Sequence, residues 1–81
     1  MFEKIRDIVV NAMFYDDNDF IAKLTPQSRL IEDLFVDSLD LVDIIMDIED
    51  EFSVSVEDEV LETIRTLGEL AKAVEEALGE E

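Results

Sequence analysis

The amino-acid sequence predicts an all-α protein: a small four-helix bundle with three longer helices, one short third helix and a long loop between helices one and two. Apolar residues recur at helical spacing in three stretches. The 81 residues suffice for a single domain, 1–81, with one core. Only the short run Phe52–Val56 competes for a strand. A hydrophobic fraction of 48% indicates a folded chain despite the net charge of −17.

Composition excludes several functions. Cysteine and histidine are absent, which excludes disulfides, thiolate metal sites, a cysteine nucleophile and a Ser-His relay. No run of eighteen apolar residues and no basic segment before an apolar stretch occurs, so we expect neither a membrane span nor a signal peptide, and a cytoplasmic protein. The negative charge is expected to repel nucleic acids and anionic lipids and to attract basic proteins or cations.

The first helix and the loop after it differ in apolar spacing. The helix is predicted from Phe2, Ile5, Ile8, Val9, Ala12 and Met13. Between Tyr15 and Asp37 the helical period is lost, and the only proline, Pro26, lies there. We expect a long loop, with room for a short helical turn, held to the core by Phe20, Ile21, Leu24, Leu30, Ile31 and Leu34. Loops of this length in small domains are usually functional.

The second helix has the clearest boundaries. Asp37 is a good N-cap, and Asp40 occupies the position of a capping-box acid. The helical pattern continues to Phe52. A complete core stripe, expected to be buried, consists of Leu41, Ile44, Ile45, Ile48 and Phe52.

Two further helices follow. Ser53, Val54 and Ser55 interrupt the pattern, and the segment from Val56 to Ile64 is predicted to form the short acidic third helix through Val60, Leu61 and Ile64. Thr66 is placed to cap the last helix, and Gly79 is a helix stop. The apolar positions of that helix are Leu67, Leu70, Ala71, Val74 and Leu78.

The second helix has more apolar residues than one core stripe needs. Leu39, Val42 and Met46 form a surplus row, and a stripe of carboxylates comprises Asp40, Asp43, Asp47 and Asp50. The row either widens the buried stripe or faces a partner; we predict that it is exposed. From residue 30 to residue 64 there are thirteen acidic residues and no basic one. Since like charges one turn apart destabilise a helix, this pattern favours a surface for a basic partner or cations over a solvated face.

Ser38 lies in the first turn of the second helix. A serine there commonly makes only local hydrogen bonds, and without histidine it would be a poor nucleophile. A phosphate linked to Ser38 would meet free backbone N–H groups and the positive end of the helix dipole. Asp37 and Asp40 would oppose that phosphate electrostatically.

The segment from Leu34 through Asp37-Ser38-Leu39 to Phe52 resembles the acyl carrier protein family, whose hallmark is Asp-Ser-Leu at the start of its second helix. The resemblance covers most of the chain, including the loop from Thr25. It departs from the family at Phe35, where glycine is usual, and at Glu57, where proline is frequent.

The resemblance implies that Ser38 carries a 4′-phosphopantetheine arm, attached by a phosphopantetheinyl transferase, whose thiol holds acyl chains as thioesters. It implies a monomeric carrier rather than an enzyme, with no catalytic residue and no metal, whose partners are acyl-transferring and chain-elongating enzymes with basic docking surfaces. The acidic neighbours of Ser38 resemble those of fatty-acid or polyketide carriers more than those of peptidyl carriers. The expected recognition residues are Asp37, Leu39, Asp40, Val42, Asp43, Met46, Asp47, Asp50, Val56 and Glu62.

Other function classes fit the sequence less well. A calcium loop starting at Asp16 would lack the glycine at its sixth position and would have Gln27 where glutamate is needed. An enzyme would need an assembled site that a chain without histidine, cysteine or a glycine-rich phosphate loop does not offer. An unmodified acidic adaptor that docks basic protein surfaces remains the alternative to a carrier.

Overall fold

A computed structural model describes residues 1–79 and contains five helices. They are α1 (Phe2–Ala12), α2 (Asn18–Ala22), α3 (Ser38–Phe52), α4 (Asp58–Leu61) and α5 (Leu67–Gly79). Within these residues the only β-type pairing is an isolated bridge between Arg29 and Thr66. The all-α class is therefore confirmed. The chain that follows the helix stop predicted at Gly79, residues 80 and 81, lies outside the described residues.

Local capping determines where α3 begins and ends. The Asp40 amide donates to Asp37 Oδ1 at 2.8 Å, and the Asp37 amide donates to Asp40 Oδ2 at 3.4 Å. This reciprocal capping box satisfies N–H groups that have no acceptor inside the helix. At the other end, the helix stops at Ser53, which is left-handed. Both predicted boundaries of this helix are confirmed.

The core lies where α1 packs against α3 and α5. Its fully buried large side chains are Ile5, Val9, Leu34, Val36, Ile44, Ile48, Leu67, Leu70 and Val74. From α3, Ile44, Ile45 and Ile48 are buried as predicted. Leu41 and Phe52, also predicted to be buried, are only partly so and pack against the edge of the core. They lie towards the two ends of α3, which spans Ser38–Phe52.

The long loop contains the short helix α2, capped by Asp17, whose carboxylate accepts from the Asp19 and Phe20 amides. The Tyr15 hydroxyl donates to the Leu34 carbonyl, and its ring meets Phe20 edge to face at 5.2 Å. The loop is held by its apolar side chains as predicted, except for Ile31, which is exposed.

The loop is also tied to the start of α5. The Leu30 amide donates to the Arg65 carbonyl at 2.9 Å, and the Leu67 amide donates to the Ser28 carbonyl at 3.0 Å. The Gly68 amide donates to the Pro26 carbonyl, and a Cβ at Gly68 would lie only 2.8 Å from that oxygen. Glycine is therefore required at position 68, where the backbone passes close to Pro26.

The predicted short acidic helix is shorter than expected: α4 spans only Asp58–Leu61, whereas the sequence predicts a helix from Val56 to Ile64. The Val56 amide donates to Glu49 Oε2 at 2.9 Å, which holds the chain extended before α4. Ile64 is buried beyond the end of the helix. Thr66 caps α5 as predicted, because its Oγ1 accepts from the Glu69 amide at 3.1 Å.

Among residues 1–79, three turns have left-handed backbone, and none of them uses glycine: Phe14 (φ 58°), Phe35 (φ 60°) and Ser53 (φ 54°). For an L-residue this conformation costs about 1–2 kcal/mol relative to right-handed backbone. The side chains of Phe14 and Phe35 are 91% and 71% exposed. Phe35 thus takes a backbone conformation that favours glycine, and core packing does not offset its strain.

Candidate functional site

Ser38 is the first helical residue of α3, and its side chain is exposed. Within residues 1–79, no hydrogen bond occupies its hydroxyl. It lines a small cavity whose apolar wall is formed by Val36, Leu41 and Ile64 and whose polar rim includes Arg65. The hydroxyl is therefore accessible for modification, and a flexible chain attached to it has an apolar surface at its base.

The electrostatics around Ser38 are mixed. The first amides of α3 point toward the serine end without acceptors in the helix, which favours an anion there. Asp37 and Asp40 oppose an anion, although their carboxylates are engaged in the capping box. Arg65 is the only base that lines the cavity, and its Nη1 donates to the Glu62 and Ile64 carbonyls at 2.7 and 3.1 Å. A phosphodiester on Ser38 fits this donor set.

The surplus row of α3 is exposed, as predicted. Leu39, Val42 and Met46 are 79%, 52% and 57% exposed, which is far more than a widened core stripe would allow. These three side chains form an apolar strip beside the carboxylates of the same helix. Apolar surface of this kind, rimmed by charge, is typical of an interaction site.

The carboxylate stripe is open to solvent. Asp43, Asp47 and Asp50 are exposed, whereas Asp40 is partly covered in its capping role. In the described part of the chain, ion pairs join Arg6 to Asp7 and Arg29 to Glu32 and Asp33, and none involves α3. The charges of this stripe are therefore available to a partner.

The other predicted recognition residues fall in different environments. Asp37 and Glu62 are exposed. Val56 is not: only 8% of its surface is accessible, and it belongs to the core cluster. Its alternation with exposed Ser55 and Glu57 places it on the inner side of the extended segment before α4. We therefore leave Val56 out of the exposed surface.

Two shifted pKa values mark the contacts that hold the loop. The pKa of Asp33 is lowered, first because the Arg29 amide donates to its carboxylate at 2.7 Å and then because of the Arg29 guanidinium. The pKa of Tyr15 is raised by burial and, to a smaller extent, by the charge of Asp40. Both contacts fix the loop that leads into Ser38.

The structure adds residues that the sequence does not point to. Arg65 and Ile31 line the cavity at Ser38, and Phe14 shares a groove with Met46. Arg65 is distinguished in the sequence only as the first base after the acidic segment. Nothing in the local sequence of Phe14 indicates that it lies beside α3.

Comparison with known proteins agrees with this geometry. A family described as a phosphopantetheine attachment site matches residues 3–74. That match defines the class: domains with a covalently attached 4′-phosphopantetheine arm. Among curated proteins, the acyl carrier protein of Thermotoga maritima is 40% identical over 79 residues, which covers 98% of this chain and 93% of that protein. The chain belongs to the acyl carrier protein family, whose members are carriers rather than catalysts.

As for membranes, each helix within residues 1–79 is too short or too polar to cross a bilayer.

Proposed function

We propose that Ser38 carries the 4′-phosphopantetheine arm and that the protein presents acyl thioesters to enzymes of fatty-acid or polyketide-type synthesis. The observation that supports this most directly is the exposed Ser38 hydroxyl, which makes no hydrogen bond within residues 1–79, at the start of α3 within Asp37-Ser38-Leu39. When bound, the arm supplies a terminal thiol that holds the acyl group as a thioester.

The chain's own residues orient the serine rather than activate it. The capping box fixes the first turn of α3, so Ser38 stands at a defined position and its neighbouring amides face a phosphate linked to its oxygen. The chain has no histidine, and the two carboxylates beside Ser38, Asp37 and Asp40, are engaged in the capping box. We therefore assign the base that takes the hydroxyl proton to the transferase, for which this protein is a substrate.

Partner enzymes would recognise the exposed face of α3. Leu39, Val42 and Met46 provide apolar contact, and carboxylates beside them steer basic surfaces toward the serine. The carboxylates of this proposed surface are Asp37, Asp40, Asp43, Asp47, Asp50 and Glu62. The partners are a phosphopantetheinyl transferase and acyl-transferring or chain-elongating enzymes with basic docking surfaces.

Intact-mass measurement after incubation with a phosphopantetheinyl transferase and coenzyme A tests the assignment of Ser38. The parent chain should gain one phosphopantetheine, the Ser38→Ala variant none. Ser55→Ala, which removes another exposed serine hydroxyl, is the matched control and should gain the same mass as the parent. Modification of Ser38→Ala would contradict the assignment. A parent chain that binds the transferase but gains no mass would instead support the unmodified adaptor.

A further inference from the structure

The end of α1 and the middle of α3 form an open groove, and the proposed recognition surface supplies only the α3 wall of it. Its walls include Phe14 and Asn11 from the first helix and its turn, and Asp43, Met46 and Asp47 from α3. Building on the proposed function, we propose that this groove receives an arginine side chain of the transferase that loads Ser38. The guanidinium lies over the Phe14 ring and pairs with Asp43 or Asp47.

The Phe14 ring is not required by the fold. The turn is closed by backbone hydrogen bonds alone, from the Phe14 amide to the Asn11 carbonyl and from the Tyr15 amide to the Val10 carbonyl. With φ of 58°, the position would suit glycine without strain, and 91% of the Phe14 surface is exposed. An exposed aromatic ring on a strained backbone indicates a role other than core packing.

The turn is nevertheless held firmly in place. Tyr15, the next residue, donates its hydroxyl hydrogen bond to the Leu34 carbonyl and packs its ring against Phe20. The helix before the turn packs against α3. The Phe14 ring is therefore presented from a fixed point beside Met46, and a partner does not have to order this turn on binding.

The charge of the groove identifies its occupant. Asp43 and Asp47 lie one helical turn apart, both are exposed, and no Lys or Arg lines the groove. In the described residues, no ion pair involves either carboxylate. The guanidinium group of arginine is a planar cation that can stack on an aromatic face, and its N–H groups can donate two parallel hydrogen bonds to a carboxylate. Met46 adds an adaptable thioether contact.

The groove is within reach of an enzyme that works on Ser38. Met46 lies two helical turns after Ser38, about 12 Å along the helix axis. A standard interface covers about 800 Å² on each partner, a patch wide enough to include both positions. Phe14 thus adds a second anchor, from a different helix, to the contacts made by Leu39 and Val42.

The affinity of the transferase for Ser38→Ala variants, which cannot be loaded, tests this proposal. In that background, Phe14→Gly should weaken the Kd by about 2- to 30-fold, the range of a cation–π contact. Phe14→Leu keeps an apolar side chain without the aromatic face and should weaken it less. The melting temperature of Phe14→Gly should equal or exceed that of the parent, so lost affinity would not reflect unfolding. A Kd for Phe14→Gly within twofold of the parent would overturn the proposal.

A double-mutant cycle tests whether the Phe14 ring and a carboxylate of the groove contact the same arginine. Asp43→Asn and Asp47→Asn should each be combined with Phe14→Gly, and for at least one of the two the double variant should lose less affinity than the sum of the single effects. Glu75→Gln, on exposed α5 surface outside the groove, makes the same charge change and should alter the Kd by less than twofold. Fully additive effects would contradict the shared arginine. With Ser38 intact, saturating transferase should still load Phe14→Gly completely. Failure of the groove proposal can therefore be distinguished from failure of the assignment of Ser38 as the attachment site.

Discussion

Two faces of α3 have nearly the same chemistry and opposite environments. Ile44, Ile45 and Ile48 are buried against the neighbouring helices, whereas Leu39, Val42 and Met46 are exposed on the same helix. The two rows have similar hydrophobicity, so hydrophobicity does not explain their different burial. The row that faces the helix packed against α3, α1, is the buried one. A small bundle has too few helices to cover both faces. The surplus face is therefore left exposed to solvent.

The largest expected difference between the two faces is in stability. Ile48→Ala should lower the free energy of unfolding by about 2–5 kcal/mol, because it deletes fully buried methyl groups and leaves a cavity. Met46→Ala should change it by no more than about 0.5 kcal/mol, as is usual at exposed positions. Urea unfolding of both variants measures this. Equal losses would show that the two faces are not distinct.

A smaller loss is expected at the contact that anchors the turn beside the exposed face. Tyr15→Phe removes the donor to the Leu34 carbonyl and should cost about 1 kcal/mol in urea unfolding. Because the folded pKa of Tyr15 is raised, its contribution is fully present below pH 10 and is lost as the pH rises through the folded pKa. The parent should therefore lose stability above pH 10 more steeply than Tyr15→Phe. Identical pH profiles for both proteins would argue against a raised pKa of Tyr15 in the folded state.

Phe35→Gly should have the opposite sign, because removal of this exposed apolar side chain should stabilise the protein. Relief of left-handed strain, about 1–2 kcal/mol, exceeds the backbone entropy cost of glycine, about 0.5–1 kcal/mol. The net gain should lie between about 0 and 1.5 kcal/mol, seen as a higher melting temperature. A lower melting temperature would mean that the Phe35 ring packs against the loop.

The smallest effect concerns the carboxylates between the two faces. Added salt should raise the melting temperature, because screening weakens repulsion along the unpaired stripe. Asp47→Lys should add a few tenths of a kcal/mol by relieving Asp43 and Asp50, and should slow association with a basic partner. Melting curves at several salt concentrations and stopped-flow association measure these effects. A salt-independent melting temperature would show that the stripe is already neutralised.

The sequence predicts those features whose causes are local. Asp37 and Asp40 lie three residues apart and form the cap that they were predicted to form, and the spacing within α3 separates its buried and exposed faces. The motif around Ser38 points to the site for the same reason: its residues are contiguous.

Features that depend on contacts between distant residues could not be predicted from the sequence pattern. The start of α4 is displaced because the Val56 amide bonds to Glu49 rather than entering a helix. Leu41 and Phe52 have helical spacing but pack only against the edge of the core, so they are partly rather than fully buried. The groove at Phe14 depends on a left-handed turn without glycine, and on packing between helices that the sequence separates by the long loop.

The hydrogen bonds between the loop and the start of α5 also bear on the order in which the chain folds. Ser28 and Leu30 pair with residues nearly half the chain away. Such closures lose more chain entropy than helix formation does, so they form late. On the ribosome, Ser38 emerges well before α5, and the loop leading to it acquires its final shape only after α5 has been synthesised. We therefore expect a transferase that recognises the folded loop to act after translation of this domain, not during it.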